Sequence, residues 1–108
     1  MTADPEAAIE ALKQRFLARC ETDLVRLQDY ADGGQISNEE LYYLVHRLSG
    51  AAGVFGFDAI SALAGELEVV LLEGRTVLPL QPLMGGLKDM LEREADLGSA
   101  ASRTSSAG

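Results

Sequence analysis

The sequence is poor in the residues that build disulfides and metal sites, with one cysteine, one histidine and no tryptophan among 108 residues. A lone cysteine excludes an internal disulfide, and one cysteine with one histidine cannot assemble a zinc site. No apolar run approaches the roughly 18 residues of a membrane span, and the first residues do not form a signal peptide. We therefore expect a cytoplasmic protein with no membrane association and no cofactor or metal of its own.

Basic residues are also scarce, since nine lysines and arginines stand against 17 acidic residues, for a net charge of −8. The sequence shows no basic run that could release counterions from a phosphate backbone, so we expect no nucleic-acid partner. Excess negative charge disfavours self-association, which predicts a monomer. The length is that of one domain with a single modest core.

Helical periodicity dominates the chain, and no stretch shows the alternation typical of a β-strand. Asp4 as N-cap and Pro5 as the first helical residue predict the start of a first helix, which stops at Gly33. The segment could also be divided, with a short extra helix at its N-terminal end. Its predicted core positions share one side of the helix: Ile9, Leu12, Phe16, Cys20, Leu24, Leu27 and Ala31.

Two further helices have clear boundary signals. Ser37 and Glu40 form a capping box that predicts the start of a second helix, and Gly56 predicts its end. Asp58 is the predicted N-cap of a third helix, which ends at Gly74. Four glutamates, Glu40 among them, are expected to lie on solvated faces or at caps: Glu39, Glu40, Glu66 and Glu68.

A fourth helical segment opens at Pro79 and Pro82 and carries apolar residues to Leu97. From residue 98 the composition is small and polar, which predicts a flexible tail over residues 98–108. Short connections between amphipathic helices predict an all-α, antiparallel up-down four-helix bundle over residues 1–97.

The only histidine, His46, lies on the polar side of the second helix. With about 100° per residue, Gly50 and Gly53 lie near it on the same side, with Ser49 at the edge. Each helix-interior glycine costs roughly 1 kcal/mol relative to alanine, so two of them beside a histidine indicate that something approaches closely. They could instead permit close packing of helices, but they lie opposite the apolar side.

The segment from His46 to Gly56 resembles the signature of histidine-containing phosphotransfer domains, H-x-L-K-G followed by small residues and a further glycine. His46, Leu48 and Gly50 occupy matching positions, and the small residues Ala51, Ala52 and Gly53 follow. Phe16 in the first helix and the Leu67-Glu68 pair in the third extend the similarity over about residues 10–75.

The resemblance implies a four-helix bundle that carries a phosphoryl group on His46, in exchange with response-regulator receiver domains or a hybrid histidine kinase. The chain shows no ATP-binding loop, so we expect a phosphotransfer intermediate and not a kinase. Mg²⁺, the acidic pocket and the aspartate would come from the receiver domain. The alternative is a non-catalytic helical adaptor that binds a signalling partner through the same face.

Ser49 stands where the family signature has lysine, so it can offer a phosphoryl group only a hydroxyl. Arg47 would compensate if its side chain wrapped around the helix. We therefore take Ser49, Gly50 and Arg47 as neighbours of the phosphate site. The expected partner contacts lie on the same face: Tyr42, Tyr43, Gly50 and Gly53.

Replacement His46→Gln should abolish phosphoryl labelling of the chain, because no other imidazole is present. A surface substitution away from caps and core should change the free energy of unfolding by less than about 0.5 kcal/mol. Labelling by a phosphorylated receiver domain and thermal denaturation measure the two effects. Undiminished labelling of the variant would contradict the assignment of His46.

Overall fold

The computed structural model describes residues 4–107, with side chains described for residues 4–98. Four helices account for most of this range: α1 (Pro5–Ala31), α2 (Asn38–Val54), α3 (Asp58–Leu72) and α4 (Leu80–Ala107). No strand occurs among these residues. The predicted all-α four-helix bundle is therefore confirmed, and α1 is a single continuous helix.

Pairs of residues that join α1 to α2, and α2 to α3, run in opposite order along the chain, which makes these neighbouring helices antiparallel. Asp23 and Arg26 of α1 contact Arg47 and Glu40 of α2, respectively. Ser49 and His46 of α2 contact Ser61 and Glu68 of α3, respectively. At the other side of the bundle, α1 is joined to α4 by an ion pair between Lys13 Nζ and Glu94 Oε1 at 2.8 Å.

The starts of α1 and α2 follow their sequence signals. The Asp4 side chain accepts a hydrogen bond from the backbone N–H of Glu6, and the Ser37 hydroxyl accepts one from the backbone N–H of Glu40 at 3.1 Å. The second half of the predicted capping box does not form. The Glu40 carboxylate instead accepts from Arg26 Nη2 at 3.1 Å, which ties α2 to α1.

The predicted N-cap of α3 is wrong by one residue. Phe57 is the N-cap and provides no side-chain hydrogen bond, while Asp58 is the first residue of the helix. The Phe57 ring stacks on Phe16 with their centroids 5.6 Å apart, and Phe55 stacks on Phe16 at 5.2 Å. Packing of these rings fixes the connection between α2 and α3. As the first helical residue, Asp58 still contributes favourable charge at the helix N-terminus.

The core consists of aliphatic side chains from all four helices, joined by Phe16 and the two methionines of α4. Its buried members are Phe16, Leu17, Cys20, Leu27, Leu41, Leu44, Val45, Leu48, Ala52, Ile60, Ala64, Leu67, Leu83, Met84, Leu87 and Met90. Burial raises the pKa of the Cys20 thiol to about 12.

Several predicted core positions near the ends of the long helices are exposed. Ile9, Leu12 and Leu97 keep more than half of their surface in contact with solvent, and Ala31 is exposed as well. The cause is helix length, since α1 and α4 have 27 and 28 residues and α2 and α3 have 17 and 15. Periodicity continues along a helix whether or not a neighbour covers it.

The helical bounds of α4 extend to Ala107, past the predicted domain boundary at residue 97. The bounds report backbone conformation and not mobility, so the flexible tail of residues 98–108 stays a prediction. Among the described residues, none of the helices combines the length and the apolarity that crossing a membrane requires.

Two leucines of α1, Leu12 and Leu27, belong to the same apolar pattern but differ in burial, so their replacement should differ in its effect on stability. Leu27→Ala should lower the free energy of unfolding by about 2–5 kcal/mol, because Leu27 is fully buried. Leu12→Ala is the matched control and should cost less than about 1 kcal/mol, since Leu12 is exposed. Urea denaturation measures both, and equal losses would contradict the described core.

Candidate functional site

His46 lies near the middle of α2, and its side chain is 63% exposed. The opposite side of α2 is buried in the bundle through five residues: Leu41, Leu44, Val45, Leu48 and Ala52. Because so much of α2 is packed against the core, the core sets the position of the backbone that carries His46. The imidazole is thus a solvent-facing group on a fixed support.

The imidazole is oriented by a carboxylate from the neighbouring helix. Nδ1 of His46 lies 2.8 Å from Oε2 of Glu68 in α3. An ionised carboxylate can only accept a hydrogen bond, so in the neutral imidazole this contact favours the tautomer with the proton on Nδ1 and the lone pair on Nε2. Nε2 has no hydrogen-bonding partner among the described residues. This arrangement provides one nucleophilic nitrogen at the surface.

Tyr42 supports the same arrangement from the preceding turn of α2. Its ring stacks against the His46 ring with centroids 5.8 Å apart and an angle of 16° between the planes. Its hydroxyl donates to Oε2 of Glu68 over 3.5 Å, so the carboxylate is approached by both side chains. Tyr42 is half-buried, whereas Tyr43 is 60% exposed. Their predicted role as partner contacts stays a prediction.

The expectation that Glu68 belongs to a solvated face or a cap is wrong, because its carboxylate holds the imidazole. The sequence carries one sign of this role, the Leu67-Glu68 pair of the family resemblance. Leu67 is fully buried, which fixes the rotation of α3 and leaves the next residue at the margin of the α2–α3 interface. The register between α2 and α3 then determines that Glu68 contacts His46.

Ser49 is directed toward α3. Its hydroxyl donates to the backbone carbonyl of Ser61 at 3.0 Å, and the Ser61 hydroxyl donates to the carbonyl of Ser49 at 2.8 Å. A methyl group added at Gly53 would lie 3.5 Å from the Ser61 hydroxyl, and one at Gly65 would lie 3.5 Å from that of Ser49. Gly53 therefore also faces α3, which corrects the view that both glycines lie away from helix packing.

Gly50 differs from Gly53 because it faces open space. A methyl group built on Gly50 would meet no atom within 4 Å. Gly50 follows His46 by one helical turn, so the surface beside the imidazole is flat and unobstructed. The fold itself does not require a glycine at this position.

Arg47 is not brought to the imidazole. Its Nη2 donates to Oδ1 of Asp23 in α1 at 2.6 Å, on the opposite side of α2 from Glu68. The expectation that Arg47 neighbours the phosphate site is therefore not met in this structure. Asp23 is 1% exposed and its Oδ2 has no hydrogen-bonding partner, so the arginine is held by a buried charge. The sequence gives no sign of this pair, which depends on the register of α1 against α2.

No group of three or more His, Cys, Asp or Glu side chains within the described range could hold a metal ion. Among the described side chains, Glu68 is the one carboxylate that hydrogen-bonds to the imidazole of His46. The chemistry available from these residues is nucleophilic attack by an oriented imidazole.

The family comparison agrees with this geometry. The family model of the Hpt domain matches residues 11–96, most of the chain. The chain therefore belongs to the Hpt domain family, as the segment beginning at His46 predicts. No significant match was found among curated proteins or among solved structures.

Membership of this family gives the chain a general role in histidine phosphotransfer within phosphorelays. Hpt domains are phosphocarriers and not enzymes with ATP sites. They interact with receiver domains and histidine kinases of two-component systems.

The hydrogen bond from His46 to Glu68 can be tested by NMR, since the chain has one histidine and one set of imidazole resonances. Glu68→Ala removes the acceptor, so the Nδ1–H tautomer should lose its dominance in ¹⁵N spectra of the imidazole. The rate of phosphoryl uptake should fall about 10- to 100-fold, which is the usual loss when a group that orients a metal-ligating histidine is removed.

Glu66→Ala is the matched control, because Glu66 is an exposed residue of the same helix. It should leave both the tautomer and the uptake rate unchanged. An unaltered tautomer in Glu68→Ala would show that the carboxylate does not orient the imidazole.

Proposed function

We propose that this chain is a phosphocarrier whose His46 exchanges a phosphoryl group with the aspartate of receiver domains. The observation that carries the proposal is the hydrogen bond between Nδ1 of His46 and Glu68, which leaves Nε2 free at the surface of an Hpt domain. One group then serves as acceptor and donor, as a carrier requires.

The transfer is a displacement at phosphorus. The Nε2 lone pair attacks the phosphorus of the aspartyl phosphate, the bond between phosphorus and the aspartyl oxygen breaks, and the aspartate carboxylate leaves with the bonding electrons. The proton on Nδ1 stays in place, and the imidazole becomes positively charged. Glu68 faces that charge at 2.8 Å, where a fixed carboxylate stabilises it. The return of the phosphoryl group reverses each step.

The residues around His46 leave the imidazole accessible to a partner but offer little to stabilise a bound phosphoryl group. Gly50 leaves room for the loops of a partner, while Ser49 uses its hydroxyl within the α2–α3 interface. Arg47 is held by Asp23. We therefore propose a short-lived phosphohistidine, with Mg²⁺ and further stabilising charge supplied by the receiver domain.

The second candidate is an adaptor that binds a signalling partner through the same face without transfer. The serine at the lysine position of the family signature favours it, because no cationic side chain of α2 reaches the imidazole. The orientation of the imidazole by Glu68 favours the carrier, since an adaptor has no need of a defined tautomer.

Incubation with receiver domains phosphorylated by labelled acetyl phosphate separates the two candidates. A carrier acquires acid-labile, alkali-stable phosphate, and the label is lost in His46→Gln. An adaptor binds the same domains, and neither the wild-type chain nor His46→Gln acquires label. Absence of both label and binding over a broad panel of receiver domains would contradict both candidates.

Gly50→Gln should block transfer by placing a side chain over the approach to His46. The fold should be as stable as before or more so, because glutamine is a better helix former by about 0.5–1 kcal/mol and meets open space. Initial labelling rates and thermal denaturation measure the two effects.

Gly85→Gln is the matched control, because Gly85 is also a helical glycine with no atom near its added methyl group. It should show the same stability gain with normal transfer. If Gly50→Gln also transferred phosphate at the normal rate, Gly50 would have no role in access.

A further inference from the structure

Although basic residues are scarce, three arginines line a single cleft between α1 and α2. Arg19 and Arg26 come from α1 and Arg47 from α2. The cleft has a volume of about 220 Å³, and its remaining lining is Asp23, Glu40, Tyr43 and Leu44. We refer to it as the arginine cleft.

The arginine cleft is positive in an otherwise acidic protein. Buried Asp23 accepts from Arg47 at 2.6 Å and has its Oδ1 3.7 Å from Nε of Arg19, while Arg26 pairs with Glu40 at 3.1 Å. Three guanidinium groups against two carboxylates leave one net positive charge, whereas the chain as a whole carries −8.

The guanidinium groups retain capacity for further hydrogen bonds. Each has five N–H donors, and the contacts within the cleft use only part of them. The side chains of Arg19, Arg26 and Arg47 are 60%, 48% and 37% exposed, so the cleft opens to solvent. When a partner protein covers the cleft and excludes water, the partner must supply acceptors for the remaining N–H groups.

The arginine cleft adjoins the surface around His46. Around the axis of α2, Gly50, Tyr43 and Arg47 follow His46 at about 40°, 60° and 100°. Gly50 faces open space and Tyr43 is exposed and lines the cleft, so the solvent-facing surface of α2 continues from the imidazole to the cleft. A protein that covers His46 and extends toward α1 would meet the three arginines.

We propose that the arginine cleft receives aspartate or glutamate side chains of the protein that exchanges phosphate with His46. The proposal rests on the proposed function of His46 and adds the chemistry of the partner surface. Guanidinium groups match carboxylates in geometry, and Asp23 and Glu40 already occupy the inner side of the cleft in this way.

Size and charge favour this occupant. A cleft of about 220 Å³ takes one or two side chains and not a helix. A nucleic-acid strand carries many phosphates beyond the one or two groups that the cleft could hold, so the overall charge of −8 repels it. The same overall charge repels an acidic protein, so a local positive cleft beside His46 orients its approach.

The test compares two variants that change the net charge by the same amount. Arg19→Gln with Arg26→Gln removes two positive charges from the cleft, and Lys88→Glu makes the same change on an exposed position of α4. Arg47 is left in place because it pairs with buried Asp23. The probe is the phosphorylated receiver domain that labels the wild-type chain, and the readout is the initial labelling rate at several salt concentrations.

We expect the double variant to be labelled about 5- to 10-fold more slowly at low salt and the Lys88→Glu control less than about 2-fold more slowly. The difference should disappear near 0.5 M salt, where screening acts over a few ångströms. The tautomer of His46 should be unchanged in both. If the double variant does not fold, Arg26→Gln with Lys88→Gln as control repeats the test, since Arg26 is exposed.

Equal rates for the two variants, or a slow rate that persists at high salt, would overturn the inference and leave the proposed function intact. Failure of every receiver domain to label the wild-type chain would overturn the proposed function and, with it, this inference.

Discussion

The site depends on the close approach of α2 and α3. Serine and glycine residues line this contact, and the hydroxyls of Ser49 and Ser61 each donate to the backbone carbonyl of the other. Bulky side chains here would separate the helices, and Glu68 would no longer reach His46. His46 lies about one turn from Ser49 and Glu68 about two turns from Ser61, so these two small side chains fix the register that brings the carboxylate to the imidazole. The serine at the lysine position of the family signature contributes to this contact.

The two sides of His46 have different chemical character. Toward α3, a carboxylate and a tyrosine ring hold the imidazole in one orientation. Toward α1, the surface is open at Gly50 and leads to arginines anchored by the buried carboxylate of Asp23. One side therefore prepares the nucleophile, and the other is available to a partner. Because α2 carries residues of both sides, the rotation of α2 about its axis determines the position of both sides at once.

Helix boundaries could be predicted well from the sequence, because caps and stops are local. Ser37 caps α2 as predicted, and Gly56 and Gly74 adopt positive φ angles of 80° and 71° at the predicted stops. The start of α3 was missed by one residue, since stacking of Phe57 on Phe16 is a contact between distant segments. The local sequence around Phe57 does not indicate that its ring packs on Phe16.

Contacts between helices could not be predicted, because they depend on register and relative length. The pairs that Asp23 and Glu68 form join residues more than 20 positions apart. Their identification from sequence would require the rotation of each helix about its axis. The exposure of Ile9 and Leu12 has a similar origin, since the periodicity of a long helix does not show which of its turns lie beyond the neighbouring helices.

Because Cys20 is buried, the reactivity of its thiol can be used to measure unfolding of the protein. Its thiol is fully enclosed, and with a pKa of about 12 it stays protonated near neutral pH, so alkylating reagents cannot react with the native state. Since no second cysteine competes, each alkylated molecule marks one opening of the core. The rate of unfolding can therefore be measured by mass spectrometry from the mass of the added alkyl group. The measurement can be made in a mixture with receiver domains, and it needs no fluorescent label.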